Sequence, residues 1–158
     1  VKAVEIARTK NEASFCLVRP PGHHATSIGF DKQAGGCGFC IFNNVCIGAA
    51  HMLKLEPEAK IVIVDFDVHH GNGTQEIVEK MLKSDRVLYV SIHLLEVFDN
   101  PDGDFFPGSG KREENGSRIF NVPVKPLWAV KSIAKGNPSK KLKGMQGTSL
   151  GVLFLTYL

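Results

Sequence analysis

The chain has 158 residues, which is the usual size of one domain and is long enough to bury a hydrophobic core. Hydrophobic residues make up 43% and charged residues 22%, so the composition excludes a disordered or low-complexity chain. The formal net charge of +3 is too small to predict direct nucleic-acid binding, and no apolar run reaches the roughly 18 residues of a membrane span. We therefore expect neither nucleic acid nor a membrane as a partner.

Apolar and polar segments alternate in a way that predicts an α/β chain. Residues 1–11 are typical of the end of a helix, and residues 14–18 predict a short strand before a long Gly- and Pro-rich loop over 20–38. There follow a helix over 42–55, a strand over 60–65 that we expect to be buried on both faces, a helix over 74–82 with Thr74 as its N-cap, a strand over 86–92, a second loop over 93–117 and a strand over 118–124. This order predicts right-handed β–α–β crossovers and a parallel sheet.

The last part of the chain does not continue this rhythm. It is rich in Lys and Gly over 131–147 and apolar over 150–158. We therefore predict one domain over 1–125 and a divergent tail over 126–158. The first residue is Val1 rather than Met, so we expect a fragment or an incomplete gene product.

The four cysteines, Cys16, Cys37, Cys40 and Cys46, lie in the first third of the chain. This distribution is not that of a secreted disulfide scaffold, so we expect reduced thiols and an intracellular protein. Cys37-Gly-Phe-Cys40 has the C-x-x-C spacing, but a Gly-rich loop precedes it and no second pair follows. A redox or structural-zinc role is therefore not favoured.

Asp65, Asp67 and His69 stand two residues apart where the central apolar strand turns polar. Side chains at that spacing on an extended chain point to the same side. Two carboxylates and an imidazole brought together suit a divalent metal, with zinc as the leading candidate. The simpler alternative is that Asp-x-Asp caps the next helix.

A second pair of histidines, His23 and His24, follows Arg-Pro-Pro-Gly in the first long loop. Adjacent imidazoles can act as a general base and as an acid or electrostatic partner, because their pKa lies near neutral pH. Alone, the pair would more simply be metal ligands or exposed histidines. Together with His69 and His70 after another strand, it favours a metal-assisted hydrolase. Sites in parallel sheets lie beyond the carboxyl ends of the strands, where we also expect His93.

Five segments resemble the zinc-dependent histone deacetylase family, most closely its class II and bacterial-like branch, because Asn72 follows His-His-Gly where class I enzymes carry Asp. They are Arg-Pro-Pro-Gly-His-His-Ala, Gly-Gly-Cys-Gly-Phe-Cys-Ile-Phe-Asn-Asn, Val-Asp-Phe-Asp-Val-His-His-Gly-Asn-Gly-Thr-Gln, Val-Ser-Ile-His and Phe-Phe-Pro-Gly-Ser-Gly. The resemblance covers roughly residues 1–124. It implies a three-layer arginase/deacetylase-like α/β fold with a parallel sheet, incomplete at both ends. It also implies hydrolysis of Nε-acetyl-lysine on histones or other proteins.

The resemblance assigns metal and catalytic roles to named residues. Asp67 and His69 would bind Zn²⁺, while His23 and His24 would flank the zinc-bound water, with His24 as the general base. The residues that would orient these two histidines are Asp65 and Asn72. A structural monovalent cation, for which K⁺ is the candidate, would be held by Asp65, Asp67, the backbone of His69, and Ser91 with Ile92.

The resemblance also implies a narrow tunnel for the acetyl-lysine stem. Phe39 and Phe106 would form its walls, and the Gly38 carbonyl would accept the substrate amide N–H. A long apolar stem is best surrounded by aromatic side chains, and the amide needs one fixed acceptor. The implied partners are acetylated histone tails or other acetyl-lysine proteins and corepressor complexes, in the nucleus or the cytoplasm.

The resemblance ends near Pro126, before the family's third zinc ligand (an Asp) and its oxyanion-stabilising Tyr. Two alternatives therefore stay open. One is hydrolysis of acetylpolyamines or other small amides on the same fold, and the other is a catalytically inactive, truncated binding or regulatory product. The family's strands between the first strand and the other three also have no counterpart, so we expect a gap in the sheet.

Overall fold

The computed structural model describes residues 1–82, 85–95 and 105–124, together with the backbone of one short strand near the C-terminus. Helices α1, α2 and α3 span Lys2–Lys10, Asn44–Leu55 and Asn72–Lys80, and a 3-10 turn spans Arg112–Glu114. Strands β1, β2, β3 and β4 span Ile61–Asp65, Val87–Leu94, Ile119–Val124 and Phe154–Tyr157. None of the helices in these ranges is both long and apolar enough to cross a membrane.

The four strands form one sheet in the order β3–β2–β1–β4. β1, β2 and β3 run parallel, with Ile61 opposite Val87 and Tyr89 opposite Ile119. β4 runs antiparallel to β1. β4, which lies in the tail predicted over 126–158, is thus the neighbour of β1. The gap expected between a strand over 14–18 and the other strands does not arise in that form, because residues 14–18 are coil.

The strand predicted over residues 14–18 is wrong, because this segment is coil. Phe15 and Leu17 are 67% and 81% exposed. A strand is stable only when its backbone N–H and C=O groups find partners in a neighbouring strand. β1 already has a neighbour on each side, and the apolar composition of residues 14–18 does not replace that pairing.

The hydrophobic core lies between one face of the sheet and the helices α2 and α3. In β1 and β2 the buried core residues stand at every second position, as Ile61 and Ile63 do in β1. The prediction that β1 is buried on both faces is wrong, since Val62 and Val64 are only partly buried. The reason is that α2 and α3 both pack on the face of the sheet that carries Ile61 and Ile63.

The start of α3 differs from the prediction that Thr74 is its N-cap. The helix begins at Asn72, and Gly71 is the N-cap without a capping side chain. Thr74 is fully buried in the first turn, where its N–H donates to the His23 carbonyl at 3.0 Å and its hydroxyl accepts from the Asn43 amide at 3.1 Å. These contacts tie the start of α3 to the loop over 20–38.

The outer edge of β3 is paired with a side chain. Asn115 Oδ1 accepts from the Asn121 N–H at 2.6 Å, and Asn115 Nδ2 donates to the Asn121 carbonyl at 3.2 Å. One residue further on, the Gly116 N–H donates to the Ile119 carbonyl at 3.1 Å. The segment after the 3-10 turn therefore occupies this edge.

Candidate active site

The turn after β1 is built by its own carboxylates. The Asp67 N–H donates to Asp65 Oδ1 at 3.1 Å, and the His69 N–H donates to Asp67 Oδ1 at 2.8 Å. Each Asp thus accepts from the residue two positions on, a common way for Asp to hold a turn. Since these oxygens bond the turn itself, the alternative that Asp-x-Asp caps α3 is not supported.

His23 forms an ion pair with Asp65 at the carboxyl end of β1. His23 Nδ1 lies 2.9 Å from Asp65 Oδ2, which also accepts from the Tyr89 hydroxyl at 3.1 Å. Burial lowers the pKa of His23, but the hydrogen bond and charge of Asp65 and the charge of Asp67 outweigh it, so the pKa is raised. Burial raises the pKa of Asp65, but the bond to His23 outweighs it and the pKa is lowered. Both partners therefore favour their charged forms.

His24 pairs with Asn72 instead of a carboxylate. His24 Nδ1 lies 2.8 Å from Asn72 Oδ1, and the imidazole is almost completely buried. Burial, reinforced by the positive charge of His23, lowers the pKa of His24 to about 4. The pKa values of the two imidazoles, whose ring centroids are 4.0 Å apart, are therefore shifted in opposite directions. Such a separation identifies a base and an acidic or cationic partner.

Asp67 and His69 lie close enough to bind one ion. Asp67 Oδ1 and His69 Nδ1 are 3.3 Å apart, and two ligands at about 2.0–2.1 Å from a tetrahedral Zn²⁺ are separated by about that distance. Within residues 1–82, 85–95 and 105–124, however, no group of three or more His, Cys, Asp or Glu side chains is arranged to hold a metal. The pair has the separation of two ligands of a tetrahedral zinc site, and the described residues bring no third ligand to it.

Two aromatic rings cover the site. Phe106 contacts His24 edge-on with the ring centroids 4.9 Å apart. Phe105 stacks on His69 at 5.1 Å with an interplanar angle of 10°. The sequence interpretation missed Phe105, although its position next to Phe106 in Phe-Phe-Pro-Gly was a usable signal.

The loop around Gly38 also approaches His24. Gly38 has φ +51°, and a Cβ at this position would overlap the His24 ring. A Cβ at Gly36 would lie 3.8 Å from the Phe106 ring, so the loop also lies beside Phe106. The Phe39 side chain is 87% exposed. The structure thus brings the Gly38 backbone to the site and leaves Phe39 at the surface.

The residues predicted for a monovalent cation are only partly assembled. Ser91 is directly opposite Asp65 in the sheet and is completely buried, with its hydroxyl 2.9 Å from His93 Nδ1. Ile92 is 44% exposed on the other face, so only its backbone could contribute. His93, expected beyond the strand, lies within β2, where its Nε2 bonds the Gly110 carbonyl at 3.0 Å.

The cysteines are not arranged as a redox or zinc site. All four are free. The Cys40 sulfur accepts from the His24 N–H at 3.4 Å, and burial raises the pKa of this thiol. The C-x-x-C segment therefore supports the loop beneath His24.

Known proteins share both the sequence and the fold. The histone deacetylase domain matches residues 1–135. The chain is 41% identical over 130 residues to histone deacetylase 7 of Homo sapiens, covering 80% of this chain and 12% of that protein. It is 44% identical over 119 residues to histone deacetylase HDA1 of Saccharomyces cerevisiae, covering 73% and 15%.

A solved structure also matches. The chain superimposes on an acetylpolyamine aminohydrolase from Burkholderia pseudomallei with a TM-score of 0.59 and 32% identity, covering 78% of this chain and 33% of that one. The three parallel strands and their flanking helices are thus part of an arginase/deacetylase fold, and the chain spans only 12–15% of the length of the curated relatives named above. With most of its length matched, the chain belongs to the histone deacetylase family.

Proposed function

We propose that this chain carries part of the active site of a zinc-dependent lysine deacetylase. The observation that carries the proposal is the joint placement of two differently paired histidines beside the Asp67–His69 pair. The reaction adds water across the amide of Nε-acetyl-lysine. The acetyl C–N bond breaks, the acetyl carbon gains the hydroxyl, and the lysine nitrogen gains the proton.

The residues that would hold Zn²⁺ are Asp67 and His69, and their 3.3 Å separation supports this assignment. A zinc ion bound there would supply Lewis acidity toward the acetyl carbonyl and toward water. A catalytic zinc normally has three protein ligands. The resemblance implies a third ligand, an Asp, and an oxyanion-stabilising Tyr, and no residue of 1–124 matches either of them. K⁺ is the proposed ion for the neighbouring group around Asp65 and Ser91.

The two histidines would divide the proton transfers. His24 has Nδ1 bonded to Asn72, so Nε2 is the atom that accepts a proton from the attacking water. His23 favours its cationic form beside Asp65, so it would stabilise developing negative charge and supply a proton to the departing lysine nitrogen. Asp65 and Asn72 would hold the two rings in place.

Phe106 and the Gly38 backbone would receive the substrate stem. Phe106 contacts His24, and Gly38 packs against the same imidazole. Phe39, at the surface, would contact the stem where it enters. An apolar stem of four methylenes between aromatic rings presents the acetyl group to the histidines.

The proposed substrates are acetylated histone tails or other acetyl-lysine proteins, and the proposed partners are corepressor complexes in the nucleus or cytoplasm. The support is that curated relatives at 41–44% identity are histone deacetylases. Acetylpolyamines are a second candidate, because the matching solved structure is an acetylpolyamine aminohydrolase.

Zinc content and turnover test the proposal together. The purified chain would be dialysed against Zn²⁺, its metal measured, and hydrolysis followed with an acetyl-lysine peptide and an acetylated polyamine. Asp67→Ala and His69→Ala should lose zinc, whereas His51→Ala, which removes an imidazole from α2, should keep it. Zinc held equally by all four proteins would reject the ligand assignment. Zinc without turnover would favour the inactive binding product, and faster polyamine hydrolysis would favour the second substrate class.

A further inference from the structure

Asn72 lies between His24 and a carboxylate that the sequence interpretation did not identify. Asn72 Nδ2 donates to Asp31 Oδ2 at 2.6 Å, while Asn72 Oδ1 lies 2.8 Å from His24 Nδ1. The Asn72 side chain is only 7% exposed. Three side chains therefore form one hydrogen-bonded row from the loop to the imidazole.

The two hydrogen bonds of this row can have only one arrangement of donors and acceptors. A carboxylate only accepts hydrogen bonds, so the amide nitrogen of Asn72 must face Asp31 and the amide oxygen must face His24. That oxygen also only accepts, and Nδ1 of His24 must therefore carry the hydrogen. In the neutral imidazole this is the only ring hydrogen. Its Nε2 is thus left with a free lone pair.

Asp31 is held in place by its own turn. Its Oδ1 accepts from the Gln33 N–H at 2.9 Å and the Ala34 N–H at 3.4 Å. The backbone of Asp31 also pairs with Gly36 in an isolated antiparallel bridge. The turn occupies one carboxylate oxygen and leaves the other for Asn72.

We propose that Asp31 is a positioning residue, which fixes the amide orientation of Asn72 and thereby the Nδ1–H tautomer of His24. The inference rests on the proposed function to the extent that His24 uses Nε2 as a base. The tautomer itself is a property of the folded chain and can be measured without zinc or substrate.

Asp31→Asn separates this role from a structural one. The new side chain has the same shape, and its oxygen can keep the two bonds of the turn. Its NH₂ group then faces the NH₂ group of Asn72, so Asn72 has to turn over and present NH₂ to His24. The hydrogen of His24 is then expected to move from Nδ1 to Nε2.

The exchange Asp31→Asn combined with Asn72→Asp tests the polarity directly. It keeps the same atoms and charge in the pair, and the carboxylate next to His24 can only accept. A hydrogen on Nδ1 should therefore return. Glu76→Gln is the matched control, because the Glu76 carboxylate binds the same loop through the Ser27 N–H and hydroxyl, each at 2.9 Å, and makes no hydrogen bond to the Asn72 side chain.

The measurement is nitrogen-15 NMR of the histidine rings in the full chain at pH 7, with His24 assigned from a His24→Ala spectrum. We expect the proton on Nδ1 in the wild type, in Glu76→Gln and in the double variant, and on Nε2 in Asp31→Asn. An unchanged tautomer in a folded Asp31→Asn protein would overturn the proposal. So would an Nε2 proton in the wild type, which keeps the test decisive if the variant does not fold.

Activity gives a second readout if the zinc-loaded chain turns over. Loss of a correctly oriented base typically costs about 10²–10⁴ in rate, so Asp31→Asn should lower kcat by at least about 10²-fold with little change in KM. Glu76→Gln should leave kcat unchanged. The expected tautomers without turnover would reject the proposed function for this chain and leave the positioning role intact. Turnover with an unaltered kcat in Asp31→Asn would reject the positioning role.

Discussion

Replacing Tyr89 with Phe removes one buried hydroxyl from beneath the site and keeps the ring. Tyr89 is completely buried in β2, and its hydroxyl oxygen lies 3.1 Å from Asp65 Oδ2 and 3.2 Å from the Gly71 carbonyl oxygen. The variant leaves the Asp65 carboxylate with one donor fewer. It also leaves the Gly71 carbonyl without this donor.

The expected cost follows from these two contacts. A hydrogen bond to a charged group contributes about 1.5–3 kcal/mol, and a buried acceptor left unpaired costs about 1–3 kcal/mol. Tyr89 has a single hydroxyl hydrogen to share between the two oxygens, so the contributions overlap rather than add. We expect the free energy of unfolding to fall by about 2–3 kcal/mol, which is about 30- to 160-fold in the folding equilibrium.

Urea unfolding at pH 7, followed by circular dichroism, measures this loss. Ile63→Val is the matched control, because it removes one methylene from the same fully buried face and should cost about 0.5–1.5 kcal/mol. If Tyr89→Phe cost less than about 0.5 kcal/mol, the hydroxyl would not be bonded to Asp65 and Gly71, and the support proposed for the His23–Asp65 pair would be refuted.

Three further predictions concern the rest of the fold. Gly73→Ala should destabilise the chain by about 2 kcal/mol or more, because its Cβ would overlap the backbone of the histidine loop, whereas Gly116→Ala has open space and should be nearly neutral. Arg118→Ala should cost about 1–2 kcal/mol in urea unfolding, because its guanidinium donates to the Val78 carbonyl in the last turn of α3 at 2.8 Å and to the Leu82 carbonyl just after the helix at 2.6 Å. Cys16 is exposed and should be alkylated in the native chain, whereas Cys46, whose pKa burial raises to about 12, should react only on unfolding.

Each of these predictions has a clear contrary result. Equal stability of Gly73→Ala and Gly116→Ala would show that the start of α3 does not contact the histidine loop. An Arg118→Ala protein with wild-type stability would mean that water replaces the guanidinium at no cost. Cys46 alkylated as fast as Cys16 in mass spectra, before any loss of circular dichroism, would place α2 outside the core.

The sequence was sufficient where the signal is local. The β-branched run of β1 and the regular apolar spacing of α2 predicted both elements to within two residues. Residues 14–18 look equally apolar, but a strand depends on its partners, and these are distant in the chain. The N-cap prediction for Thr74 failed for a related reason, because its hydroxyl bonds Asn43 across the core. Local patterns do not encode such pairings.

The site residues also divide into those that a local sequence pattern predicted and those that it did not. The motifs predicted the His24–Asn72 pair, and the structure places these side chains in contact. Tyr89 was read only as part of an apolar strand, although its two-residue spacing from Ser91 places both on one face. Asp31 gave no signal, because it stands in a Gly-rich loop of ordinary polar residues and reaches Asn72 only through the turn after it.

The pairing of Asn115 with β3 has a consequence for how the molecule meets other chains. The backbone groups of Ile119, Asn121 and Pro123 face away from β2, since residues two apart in a strand face the same way. The Ile119 carbonyl and both groups of Asn121 are already bonded, and Pro123 has no N–H to offer. A strand from another molecule would meet an interrupted row of donors there. This border of the sheet should therefore resist intermolecular β-pairing, and with it the growth of aggregates from that side.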